Sequence, residues 1–157
     1  TRPQKHWVAQ RWSALARRPH TELGLGVLML GGPGDRAAAA GIREAAGGAL
    51  VDVTGETSLP QAAAVLARAR MAIGADTGLT PMAIAQDVPT VALFGSTLPY
   101  RETGRENVRI LYEPLPCSPC RRSPTCHGAY TCMHALEVDR VVTAARELGA
   151  AGGRRAP

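Results

Sequence analysis

Apolar residues follow two rhythms along this chain. Val8, Trp12, Leu15 and Ala16 recur at i, i+4, i+7 and i+8 and predict an amphipathic helix. "LGLGVLML", Leu23 to Leu30, is a continuous apolar run and predicts a fully buried strand. The alternation then repeats. From Asp35, a good N-cap, an Ala-rich helix is expected to about Ala46, where Gly47 and Gly48 stop it. "ALVDV" at 49–53 predicts a strand, and Leu59 to Arg70 a helix that tolerates Pro60 in its first turn. "MAIGA" at 71–75 predicts another strand, followed by a short helix over Leu79 to Gln86. Strands are expected at Thr90 to Phe94 and Val108 to Tyr112. The last helix, about Glu137 to Leu148, shows one face of Val138, Val141, Val142, Ala145 and Leu148.

Strands that are continuous apolar runs alternating with helices imply a parallel sheet covered on both faces, a Rossmann-like α/β layer. Ligands in such layers bind beyond the carboxyl ends of the strands, so the residues after each strand hold the candidate chemistry. "GGPGD", Gly31 to Asp35, allows close backbone approach, and Asp35 suits a ribose diol. A plain turn with an N-cap Asp explains the same residues. At Asp76-Thr77-Gly78 a helix N-terminus offers unpaired N–H groups for a diphosphate, with the Thr77 hydroxyl as a further donor and Gly78 giving room. An Asp or Thr cap without ligand is the simpler reading. Asp76 would repel a diphosphate, so its carboxylate is expected on backbone amides or a sugar hydroxyl. Gly95-Ser96-Thr97 forms another polar elbow at the same edge, and Thr1 and Lys5 add a hydroxyl and a charge if the amino-terminal loop lies over it.

Composition narrows the class. A chain of 157 residues, 45% apolar and 20% charged, is long enough for one domain, placed over 1–150 with a disordered tail at 151–157. No run approaches a membrane span and the first twenty residues lack a signal-peptide centre, so a soluble, cytoplasmic protein is expected. The first residue is Thr, and a helix comes before any strand, as in a piece of a longer protein. The net charge of +5 suits polyanions, anionic lipid surfaces or phosphorylated small molecules. Two Trp, three Tyr and one Phe do not interleave with the basic residues, which argues against nucleic acid as a partner.

All four cysteines lie in a loop over 116–134, as C-x2-C-x5-C-x5-C: Cys117, Cys120, Cys126 and Cys132, with His127 and His134 near. Four thiols in sixteen residues can meet a tetrahedral zinc ion. Disulfides or free thiols fit the same pattern, because the spacing departs from paired C-x2-C knuckles.

"KHW" and "RWSAL" within 5–15, "LGGPGD" at 30–35, "DVTGETSL" at 52–59, "DTGL" at 76–79 and "VPTVALFGST" at 88–97, with the late Cys cluster, resemble the carboxy-terminal half of family 9 glycosyltransferases, the heptosyltransferases of lipopolysaccharide core synthesis. The resemblance implies the nucleotide-sugar domain of a two-domain GT-B enzyme without cofactor, which moves a heptose from ADP-heptose to a lipid-linked saccharide acceptor. It implies an inverting, metal-independent transfer at the cytoplasmic side of the inner membrane, peripherally attached. Thr1 and Lys5 then resemble the phosphate and sugar contacts, with Lys5 stabilising the leaving group. Asp35 resembles the ribose-binding acid, Thr57 falls near the adenine pocket, and Asp76, Thr77 and Gly78 resemble the elbow that holds diphosphate and sugar. The family's His two residues beyond the Leu of "DTGL" is Pro81 here, and its Asp after the second elbow is Leu98. The resemblance also places an acceptor domain with the catalytic carboxylate before these motifs, so this stretch alone is expected to be inactive. A GT-B-like epimerase, and a non-catalytic nucleotide-binding or zinc-stabilised interaction module, are the other readings.

Overall fold

The computed structural model describes residues 2–99 and 102–151, with the side chains of Leu23, Ala150 and Ala151 excepted. Thr1 and residues 152–157 of the expected tail lie outside the described residues. The order is α1 (Ala9–Leu23), β1 (Leu28–Met29), α2 (Arg36–Ala46), β2 (Val51–Asp52), α3 (Leu59–Ala67), β3 (Ala72–Ala75), α4 (Leu79–Ala85), β4 (Thr90–Phe94), β5 (Val108–Tyr112), α5 (Thr131–His134) and α6 (Val138–Ala151). Short 3-10 turns occupy Pro3–Lys5 and Pro33–Asp35. Every strand pairing is parallel, so the α/β class expected from the apolar runs is the one observed. Among the described residues no helix is long and apolar enough to cross a membrane.

The layer expected over 1–150 divides into two compact units, one of Val8–Ala62 and one joining Arg2–Trp7 to the chain from Ala63 onward. In the first unit β1 pairs with β2 in register, Leu28 with Val51 and Met29 with Asp52. Its core is Ala16, Ile42, Ala46, Ala49 and Leu50, packed against Trp12, Val27 and Met29. The run "LGLGVLML" departs from expectation: α1 continues to Leu23, and only Leu28–Met29 is strand. Gly24 explains the boundary, because at φ +62° it takes the left-handed cap conformation in which the residues before it remain helical. Strand side chains alternate in direction, so Val27 and Met29 face the core while Leu28 and Val51 are 43% and 61% exposed. The full burial expected of that run is not observed.

In the second unit β3, β4 and β5 form one parallel sheet in that order. All five residues of central β4 are buried, and since neighbours on a strand point to opposite faces, both faces are covered. Helices α4, α5 and α6 pack on this sheet. Phe94, Leu93, Met133, Leu136, Leu148, Val91 and Val141 are the largest fully buried apolar side chains among its described residues. Buried side chains hold the segment Arg2–Trp7 here. Trp7, 3% exposed, donates its indole N–H to the Leu136 carbonyl at 2.8 Å. Gln4, 5% exposed, donates to the Arg121 carbonyl at 3.2 Å.

Candidate functional site

Strands β3 and β4 run in register from Ala72 opposite Thr90 to Ala75 opposite Leu93, so the residues that follow them emerge at one edge. The pinned amino-terminal segment brings Lys5 to that edge. Its Nζ lies 2.6 Å from Asp76 Oδ2 and 3.3 Å from the Asp76 carbonyl oxygen. Thr97, from the elbow after β4, donates its hydroxyl to the same Oδ2. The Asp76 carboxylate therefore accepts from an ammonium and a hydroxyl and not from the backbone amides expected. The ammonium neutralises a charge that would otherwise repel an incoming phosphate.

The local sequence fixes this corner. The Ala75 carbonyl accepts the Thr77 N–H at 2.7 Å and the hydroxyl of Thr80, which is 3% exposed. Gly74 makes the second bond possible, since a Cβ there would stand 2.3 Å from Thr80 Oγ1. Helix α4 has Gly78 at its N-cap and no side-chain cap, so neither Asp76 nor Thr77 is spent on capping it. Thr77 and Gly78 are exposed. Pro81 sits exposed in the first turn, where an N–H is not needed, and Leu98 is 56% exposed.

The second elbow is built by the Cys-rich segment. A Cβ on Gly95 would come within 2.5 Å of Met133 Sδ and 2.8 Å of Cys132 Sγ, so only glycine permits this packing. Ser118 donates its hydroxyl to the Gly95 carbonyl, and the Arg121 N–H donates to the Ser96 carbonyl at 2.5 Å. The Ser96 hydroxyl, on a residue 1% exposed, has no hydrogen-bond partner among the described residues.

The four cysteines are free thiols. Among the described residues no group of three or more His, Cys, Asp and Glu is arranged to hold a metal ion, so the zinc set considered from the spacing is not assembled there. Cys132 is withdrawn beneath Gly95, while Cys117, Cys120 and Cys126 stay partly exposed. Burial pushes the Cys132 thiol above its ordinary range, and the neighbouring Cys120, Cys117 and Cys126 add to this. Because the thiolate is the nucleophile, iodoacetamide near pH 8 is expected to modify Cys132 at least about tenfold more slowly than the other three. Peptide mass spectrometry over a time course measures this; equal rates would contradict the burial.

In the first unit, Asp35 and Thr57 follow β1 and β2. Asp35 stands at the N-cap of α2, as expected, but makes no side-chain cap bond to that helix; its Oδ2 accepts the Gly32 N–H at 2.9 Å and closes the "GGPGD" turn. The loops after the two strands extend their ladder, with the Gly55 N–H donating to the Gly31 carbonyl at 2.9 Å. Arg36 donates to the Gly55 carbonyl at 2.7 Å. Thr57, partly exposed, stands in the second loop.

Of the residues singled out in the sequence, the structure joins Lys5 to Asp76 and places Thr77 and Gly78 in the same corner. Asp35 and Thr57 belong to the other unit, and Thr1 lies outside the described residues. Thr97, Gln4 and Arg121 were not among the candidates, although the second elbow was. Gln4 meets Arg121 through the latter's backbone carbonyl, which leaves no mark in residue type.

Parallel strands with polar elbows at their carboxyl edge define a Rossmann-like α/β protein, the architecture in which nucleotides are held. The profile of glycosyltransferase family 9 (heptosyltransferase) matches residues 1–131, and the chain belongs to that family. It is 41% identical over 124 residues to lipopolysaccharide heptosyltransferase 1 of Pseudomonas aeruginosa, a match covering 78% of this chain and 34% of that relative. The structure of the family 9 glycosyl transferase of Veillonella parvula superposes with a TM-score of 0.80 at 25% identity, covering 97% of this chain and 44% of the other. Escherichia coli heptosyltransferase WaaC with ADP-2-deoxy-2-fluoro heptose superposes with a TM-score of 0.71 at 24% identity over 94% of this chain and 40% of that one, a likeness of fold. The chain thus spans about a third of the length of the curated relative.

Proposed function

We propose that this chain is the donor half of a heptosyltransferase, binding a nucleotide-diphosphate sugar, ADP-heptose or a close analogue, for transfer to a lipopolysaccharide core acceptor. The observation that carries the reading is the junction of Lys5, Asp76 and Thr97 at the carboxyl edge of β3 and β4. During transfer the bond between the anomeric carbon and the diphosphate oxygen breaks, and its electron pair leaves with the diphosphate. The Lys5 ammonium, turning from Asp76 to the phosphates, stabilises the growing charge. The carboxylate so released accepts a hydroxyl of the transferred sugar, while Thr77 donates its hydroxyl to the diphosphate and Gly78 leaves it room. In the first unit, Asp35 is the proposed ribose contact and Thr57 the adenine contact.

Among the described residues we assign no carboxylate to deprotonate an attacking hydroxyl, since geometry comes first in assigning a base. The acceptor and the base are therefore assigned to sequence outside this chain, which alone binds donor without turning it over. In the proposed transfer lysine supplies the charge in place of a metal, inversion is what the family resemblance implies, and the reaction takes place in the cytoplasm against the inner membrane surface.

Calorimetry tests the donor reading. The chain is expected to bind ADP at least about tenfold more tightly than UDP or GDP. Silence towards all three would favour the non-catalytic reading.

A further inference from the structure

Lys5 and Asp76 together carry no net charge, yet a nucleoside diphosphate presents negative charge on both phosphates. An electrostatically matched site needs another cation nearby. Arg121 is fixed next to the pair by its backbone N–H and its backbone carbonyl. Its N–H is bonded to Ser96, the residue before Thr97, and its carbonyl to the side chain of Gln4, the residue before Lys5. This clamp holds Arg121 at φ +55°, a left-handed conformation that a non-glycine residue adopts at some cost. The residue is exposed, and among the described residues its guanidinium has no ion-pair or hydrogen-bond partner. Arg122, also exposed, has no such backbone clamp among the described residues.

We propose that Arg121 is a second anion-binding residue of the Lys5 site, taking a phosphate-type group through its guanidinium fork. The inference rests on the donor reading for its first choice of ligand, the diphosphate of the nucleotide sugar; an anionic group on the acceptor is the other source of the same chemistry. Arginine suits the role because its planar donors match two phosphate oxygens at once and its charge persists at any working pH. The Cys-rich segment thereby becomes the mount of a binding residue as well as the packing behind Gly95.

The test compares wild type with Arg121→Gln, Arg121→Lys and Arg122→Gln, titrated calorimetrically with ADP and with inorganic pyrophosphate. All three variants preserve the backbone bonds, and thermal unfolding checks that each remains folded. Arg121→Gln is expected to weaken both ligands by about tenfold, Arg121→Lys by less, and Arg122→Gln by no more than about twofold. A parallel assay of the full-length protein measures KM for the acceptor. Unchanged ADP and pyrophosphate binding with a raised acceptor KM would keep the anion site and assign it to the acceptor. If pyrophosphate binding depends on Arg121 while ADP, UDP and GDP bind alike, the donor reading fails and the anion site stands. No change in any of the three measurements, or an equal effect of Arg122→Gln, overturns the proposal.

Discussion

Lys5→Ala is expected to lower the transfer rate of the full-length protein by about 100-fold while weakening ADP binding by less than about fivefold. The split follows from what the ammonium faces in each state. Without donor it lies 2.6 Å from Asp76 Oδ2, so binding donor exchanges one anionic partner for another and gains little. As the sugar leaves, charge accumulates on the diphosphate alone, and only then does the interaction strengthen. Differential stabilisation of this kind appears in kcat. The modest loss of affinity has its own cause: alanine leaves Asp76 on the Thr97 hydroxyl with no ion-pair partner among the described residues, beside the phosphates. Lys5→Ala combined with Asp76→Asn is therefore expected to recover ADP affinity but not rate. Single-turnover kinetics with calorimetry on the same preparations reads both, and equal losses of rate and affinity would count against a leaving-group role.

How much of this was legible before the structure depends on the kind of interaction. The second unit's strands were legible because each is a short apolar run bounded by turn residues, and Thr90 to Phe94 is buried throughout. The corners at Asp76 and Gly95 were legible for the same reason, since a strand's end fixes where the chain turns. The path from α1 to β1 was not. "LGLG" is apolar in composition, but Gly24 caps a helix there, and hydrophobicity does not register the sign of a φ angle. The meeting of Lys5 with Asp76, 71 residues apart, follows from family resemblance and not from periodicity. What delivers Lys5 is an indole bonded to a carbonyl 129 residues away, and nothing in the identity of a buried tryptophan names its acceptor. Arg121 was hidden more deeply, because its placement rests wholly on its peptide group.

Gly74→Ala is expected to destabilise the chain by about 2 kcal/mol, although alanine is ordinarily the better residue in a strand by about 0.5–1 kcal/mol. The sign is decided by Thr80. A new Cβ would stand 2.3 Å from its Oγ1, inside contact distance, and Thr80 is 3% exposed with little space to retreat. If Thr80 rotates away, its bond to the Ala75 carbonyl is lost in a buried place, a cost of about 1–3 kcal/mol that exceeds the propensity gain. If it stays, the strand must shift, and Asp76 with it. Either response reaches the corner, so ADP affinity is expected to fall together with the unfolding midpoint, by roughly 4–8 °C for a chain of this size. Thr80→Ala removes the obstructing oxygen, so the double variant should lose less than the sum of the two singles, by about 1–2 kcal/mol. Urea unfolding of the four proteins measures the cycle. Strict additivity, or a Gly74→Ala protein as stable as wild type, would mean that the corner is not held by this contact, and the rigid placement of Asp76 would lose its physical basis.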